Sequence, residues 1–337
     1  MPGLGDSVDN ALQRINSQDP QIRDLGHKIL LWLCMAGRQF KMDELFHGIA
    51  VVDGDEDCEE DGLIPPEIML TSCAGLVETD VDSGIVRLVH LSVKEHLKEH
   101  LEAQKPAWLV DRHFPLLQAT TTYLGFKEFN SSADFDKDDF LRWTEQYPFL
   151  SYAAENWAVH CRGIPEESLI PRVMSLLSDQ DRAQFLLRAA YAATVGDPSL
   201  CPSNVTELHV VAFFGLDVLV EPYAETDSGV NAADVFGRQP LFLAAARGHD
   251  LTVKKLLDLN ANSSGRLPIM SSSREFEGWL LPPWARPGAR ASAIEVAAEA
   301  GFGLLSPIFL RQTPPLDVPA AYMVLPLKPR FSKGMWR

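Results

Sequence analysis

The sequence predicts a mainly α protein whose C-terminal third is a short stack of helical hairpins. Three segments carry that prediction: residues 206–215 (TELHVVAFFG), 239–248 (QPLFLAAARG) and 292–301 (SAIEVAAEAG) align without gaps. Leu208 aligns with Leu241, Ala212 with Ala245 and Gly215 with Gly248, all at one and the same interval. Self-similarity at a fixed period of that length marks stacked repeats rather than a compact enzyme core. Upstream, apolar residues recur at helical spacing over most of the chain, interrupted by one hairpin signal.

In chain order, residues 8–16 and 21–36 read as helices, the second through Ile22, Leu25, Ile29, Leu30 and Leu33, with Gly37 as its stop. A second short helix is expected over 41–51. Residues 53–61 place seven carboxylates in nine positions, which predicts a solvated loop. A further helix is expected over 63–73, with Pro65 and Pro66 near its start. Residues 76–79 and 85–89 flank an Asp-, Ser- and Gly-bearing turn and read as a β-hairpin. A helix should follow from about Ser92 as N-cap, with Glu95 completing a capping box. His90 reads by default as a core histidine, and otherwise as a cap or buttress of the hairpin.

Residues 112–195 are helical by pattern: Phe114, Leu117, Thr121 and Leu124 mark one face, and further helices are expected over 152–160, 168–177 and 182–193. The turn-rich stretch 195–203 reads as a boundary. The third repeat copy comes late: Gly301 follows Gly248 at a much longer interval than Gly248 follows Gly215. That delay places an irregular insertion at about 263–290, rich in Pro and Trp. Pro222 and Pro307 fall in the second helices of the first and third repeats and predict irregularity there. The tail, 311–337, is Pro-containing and predicts little packed structure.

Composition narrows the function. The net charge of −16 argues against nucleic-acid and anionic-membrane partners, since both need a basic face. Residues 311–337 carry five Lys or Arg against one Asp, so the acid excess lies ahead of them. The five cysteines, Cys34, Cys58, Cys73, Cys161 and Cys201, are scattered without a C-x-x-C pair and predict free thiols in a reducing, cytoplasmic setting. The N-terminus has no secretory signal pattern, and no apolar run approaches the ~18 residues of a membrane span.

Several motifs together carry a family resemblance. Residues 236–249 (FGRQPLFLAAARGH), with Val253, Leu256, Leu257 and 260–262 (NAN), resemble an ankyrin repeat. Residues 29–45 (ILLWLCMAGRQFKMDEL), 73–77 (CAGLV) and 87–97 (RLVHLSVKEHL) resemble the winged-helix domain of fungal NACHT–ankyrin proteins, a branch of the STAND (NLR-like) signalling ATPases. That module often takes its label from a GPI inositol-deacylase. Residues 123–126 (YLGF) and 147–157 (YPFLSYAAENW) resemble the helical linker before the ankyrin repeats. The resemblance spans roughly 4–262 and then 291–310.

It implies a lead-in over 1–20, a winged-helix domain over 21–105, an α-helical linker over 106–200, an ankyrin-repeat solenoid over 204–310 and the irregular tail over 311–337. It implies a non-catalytic protein-interaction and regulatory module, with protein partners that include a related NACHT ATPase and with no cofactor. The family's nucleotide module has no counterpart in this sequence. No G-x-x-x-x-G-K-[ST] occurs, so no Walker lysine is present, and no G-x-S-x-G supplies a nucleophile for deacylation. His96 stands where the family usually has an aromatic residue.

Other constellations are weaker. His96, Glu99 and His100 match H-x-x-E-H, a zinc-peptidase pattern, but no third protein ligand is evident. The same helix has a plain amphipathic reading, with Val93, Leu97 and Leu101 inward. The acidic run opens like a calcium loop, yet Cys58 and Ile64 stand where an EF-hand needs Gly and Glu. A DNA-reading helix would lie at 63–73, which contains no Lys or Arg. Trp32, Tyr152 and Trp157 read as core, and Cys34 and Cys73 as buried thiols. Within the repeats, Leu208, Ala212, Gly215, Leu241, Ala245, Gly248, Ile294, Ala298 and Gly301 are architectural positions. Recognition is expected from Phe236, Arg238, Phe242, Arg247 and His249 on and beside the loop.

Overall fold

The computed structural model describes residues 4–58, 63–104, 113–129, 133–224 and 229–263, with the pairs 267–268 and 290–291. It is mainly α. The chain divides into two compact units: residues 1–131 with 138–169, and residues 132–137 with 170–337. Residues 106–200 contribute to both.

In the first unit, α1 (Leu4–Asn16) begins four residues earlier than its apolar pattern suggested and buries Val8, Ala11, Leu12 and Ile15 as one stripe. That stripe meets α2 (Pro20–Met35). A strand not expected from sequence, β1 (Phe40–Lys41), precedes α3 (Met42–Ala50). Then come α4 (Pro66–Ser72) and the hairpin β2 (Val77–Thr79) and β3 (Ile85–Leu88). Its register pairs Val77 with Leu88, Glu78 with Arg87 and Thr79 with Val86. β1 adds to the other side of β3 through Phe40 and Val86, so the sheet order is β1-β3-β2. The hairpin turn is held by Asp80, whose Oδ1 accepts from the Ser83 amide at 2.9 Å and its hydroxyl at 2.7 Å.

The next helix, α5 (Leu91–Gln104), starts one residue before the expected N-cap Ser92. His90 takes the capping role: its Nδ1 accepts the Ser92 N–H at 3.2 Å, and the residue is exposed rather than core. Then follow α6 (Phe114–Leu124), α7 (Lys137–Gln146), α8 (Phe149–Asn156), the 3-10 turn Val159–Cys161 and α9 (Glu166–Leu176), whose residues from 170 onward belong to the second unit.

The core of this unit is aromatic. Phe149 lies 5.7 Å from Trp32, 5.2 Å from Tyr123 and 5.4 Å from Tyr152, centroid to centroid. Trp32, Tyr152 and Trp157 are wholly buried, as are the thiols of Cys34 and Cys73 to within a few per cent. Burial raises both thiols to about 11.

The acidic loop is more firmly held than a solvated run should be. Asp53 Oδ1 accepts from the Thr122 hydroxyl, Asp57 Oδ1 accepts from the Tyr147 hydroxyl, Glu56 pairs with Lys127, and the Glu56 carbonyl accepts the Lys127 amide. Residues 59–62 lie outside the described residues.

The second unit contains α10 (Gln180–Val195), capped by Asp179 Oδ1 on the Arg182 amide and ended by Gly196 at φ 79°. After the 195–203 turn come two helical hairpins: α11 (Glu207–Phe214) with α12 (Val220–Ala224), and α13 (Pro240–Ala246) with α14 (Asp250–Asp258). Pro222 shortens the first return helix. A 3-10 turn, Asp217–Leu219, takes its opening, and Pro222 stands in the first turn of α12, where no intrahelical N–H is needed. A two-residue antiparallel ladder pairs β4 (Leu267–Pro268) with β5 (Arg290–Ala291), at the ends of the expected insertion. The third repeat copy, with Ile294, Ala298, Gly301 and Pro307, lies outside the described residues, as does the tail 311–337.

Candidate functional site

The candidate surface is built on the two helical hairpins and the loop between them. The architectural positions behave alike in both copies. Leu208, Ala212, Leu241 and Ala245 are buried to within 1 %. Gly215 and Gly248 end the inner helices at φ 73° and 74°, a left-handed conformation that favours glycine. At Gly215 the His249 ring lies 2.5 Å from where a Cβ would stand, so the second copy packs onto the turn of the first.

Four of the five residues expected to recognise a partner are turned inward or engaged between the copies. Phe242 is 5 % exposed because it occupies, one repeat on, the place of His209, which is fully buried. His209 fills that place with polar contacts. Its Nδ1 accepts the Thr206 amide at 3.2 Å, so Nε2–H donates to the Arg238 carbonyl at 2.9 Å. Burial holds His209 below the ordinary imidazole range.

Arg238, 7 % exposed, is locked by Asp234. The carboxylate takes the Arg238 Nε at 2.7 Å and accepts the amides of Phe236 and Arg238 at 2.8 and 2.9 Å. Asp234 was missed by sequence reasoning, although the D-x-x-G spacing of Asp234 and Gly237 is a turn signal that could have found it. Arg247 lays its guanidinium 4.0 Å from the Phe213 ring centroid, and burial lowers it to about 10. His249 Nε2 bonds the Phe213 carbonyl at 3.1 Å. These contacts join the repeats and leave those side chains little freedom to meet a partner.

Phe236 stays half-exposed, with Arg238 over its ring at 5.0 Å. The open positions beside it are Asn231, Ala233 and Val235, the last 58 % exposed. Leu251, 59 % exposed, with Lys254 and Asp258, forms the outer side of α14. Among the described residues, therefore, the loop tip and the outer helix face solvent, while the inner helices α11 and α13 are enclosed.

The chemistry-bearing alternatives are dispersed. His96 Nε2 is 2.9 Å from Asp9 Oδ1, which ties α5 to α1. Glu99 is exposed, and the His100 side chain lies outside the described residues. Among the described residues no three His, Cys, Asp or Glu side chains are placed to hold a metal. The helix that would read DNA, α4, is Pro66–Ser72 and carries Glu67 as its one charged residue. Among the described residues no helix is long and apolar enough to cross a membrane.

Comparison with protein-family models, with curated proteins and with solved structures gave no match.

Proposed function

We propose that this chain is a non-catalytic protein-interaction and regulatory module of the NACHT–ankyrin type, acting in the cytoplasm. The observation that carries this reading is the equivalence of the inner helices α11 and α13, and of the glycines that follow them, one repeat apart. Gly215 and Gly248 share one backbone conformation, and His209 and Phe242 share one inward place. Such hairpins bury their faces against one another and leave loops to meet partners. The β1-β3-β2 sheet with its flanking helices supports a winged-helix reading of residues 21–105. All five cysteines are free, which agrees with a reducing compartment.

The partner is a protein, a related NACHT ATPase being the first to try. It meets the loop tip at Asn231, Ala233, Val235 and Phe236 rather than the enclosed inner helices. The test is a pulldown from native lysate with the full chain and with Val235→Glu/Phe236→Ser, the variant's fold being checked by circular dichroism. A protein captured by the parent and lost with the folded variant supports the reading. Equal recovery with both chains, or turnover of a substrate by the purified protein, overturns it.

A further inference from the structure

The loop tip to which the proposed function assigns a partner rests on Ser203 and Asn204, a short way ahead of α11. The Asn204 Nδ2–H donates to the Ala233 carbonyl at 2.9 Å, and the Val235 amide donates to the Ser203 carbonyl at 3.0 Å. These bonds flank Asp234. A carbonyl only accepts, so the carboxamide turns its NH2 to Ala233 and its oxygen to Gln180 of α10, whose Nε2 donates to it at 3.2 Å. One exposed side chain therefore ties the tip to the start of α10.

The backbone at Asn204 explains why this residue type stands there. Its φ is 62°, in the left-handed region, where asparagine is enriched among residues that carry a side chain. One repeat on, at the same interval as Leu208 to Leu241, the position is Gly237, at φ 77°. Glycine adopts that conformation more readily, yet it has no side chain to offer the next loop. The turn of the tip is closed from within. The Asp234 amide donates to the Arg238 carbonyl at 3.0 Å, the Gly237 amide donates to the Asp234 carbonyl at 2.8 Å, and the Asp234 carboxylate holds the amides of Phe236 and Arg238. Its placement comes from outside: His209 bonds the Arg238 carbonyl, Gln239 and Asn262 bond Asn231, and Ser203 and Asn204 bond Val235 and Ala233. Among the described residues, Asn204 is the side chain from outside the loop that hydrogen-bonds the stretch Ala233–Val235.

We propose that Asn204 is the positioning residue of the loop tip: its carboxamide sets Ala233, Val235 and Phe236 in the pose that meets a partner, so the free chain presents a preformed contact. The partner's part in this rests on the interaction reading above; the pose of the tip does not. A preformed contact loses less conformational freedom on binding than one that must first be ordered. Removing the tie therefore weakens capture while leaving Asn231, Ala233, Val235 and Phe236 themselves unaltered.

Asn204→Gly and Asn204→Asp, made in the full chain, test it. Glycine keeps the left-handed backbone and removes the carboxamide; aspartate, also tolerated there, keeps the shape but loses the N–H donor. In both variants the Val235 amide should exchange with deuterium roughly three- to ten-fold faster than in the parent, followed by NMR, while the amides of 210–214 in α11 should change less than about two-fold. The protein that the parent captures from native lysate, and that Val235→Glu/Phe236→Ser loses, should be recovered several-fold less by both variants. Unchanged exchange at Val235 would overturn the positioning role, and so would faster exchange with capture undiminished. A parent that captures nothing would instead sink the interaction reading, and the exchange comparison would still decide for or against Asn204 as the residue that sets the tip. Should the variants fail to fold, the parent decides: an exchange-protected Asn204 Nδ2 proton is expected, and a carboxamide exchanging as fast as in an unfolded peptide would overturn the proposal.

Discussion

Gly215 and Gly196 make a matched pair for measuring what a glycine contributes. Both are left-handed, at φ 73° and 79°, but a Cβ on Gly196 meets nothing within 4 Å, whereas on Gly215 it meets the His249 ring. Gly196→Ala should therefore cost only the backbone term, about 1–2 kcal/mol. Gly215→Ala should add an overpacking cost of about 1–3 kcal/mol. Urea unfolding of both variants checks the difference; equal losses would refute the close approach of His249. The Asp234–Arg238 pair offers a second residue-scale test. Asp234→Ala strands a buried guanidinium and two backbone amides, and should cost about 3–5 kcal/mol. Adding Arg238→Met should restore a good part of that loss, because the uncompensated charge is then gone. Sequence reading placed Arg238 and Phe242 at the surface because it treated the loop and helix start as variable positions. The correct inference was available at Phe242: its counterpart in the preceding repeat is His209, in a run of apolar neighbours.

At the scale of elements, the acid response of the fold follows from its buried histidines. His160, His209 and His27 are all held below their ordinary range, chiefly by burial. Unfolded, each takes up a proton near ~6.5. Below that value the unfolded chain binds more protons than the folded one, so stability falls as pH falls. For His160 the loss runs from ~6.5 down to about 3, at up to about 1.4 kcal/mol per pH unit. Urea midpoints should thus be lower at about pH 5 than at about pH 7, and His209→Phe, which installs the residue of the second repeat, should flatten part of that slope. Elements with a local signature were legible: the hairpin strands, α2, α3 and α10 lie within a few residues of where their patterns put them. β1 was not, because two residues carry no periodicity. The hold on the acidic loop was not legible either. Tyr147 reaches Asp57 across 90 positions and Thr122 reaches Asp53 across 69, and no local pattern encodes such contacts.

For the whole molecule, the thiols give a reading of integrity. Burial raises Cys34 and Cys73 to about 11 and Cys201 to about 12, and Cys161 further still. A disulfide-exchange reagent at mildly alkaline pH should modify Cys58 promptly and the other four only as the chain unfolds, with all five reacting in denaturant. Prompt loss of more than one thiol from the native chain would contradict the packing of both units. The mainly α class was legible from apolar spacing alone, whereas the inward or outward facing of the candidate site depended on which copy packs against which. The sheet of the first unit carries one last consequence. Its central strand is covered on both sides, and its margins, β1 and β2, are two and three residues long. Margins that short give an incoming peptide almost no ladder to extend, so this sheet is guarded against edge-to-edge aggregation and is a poor seat for a ligand that binds by adding a strand.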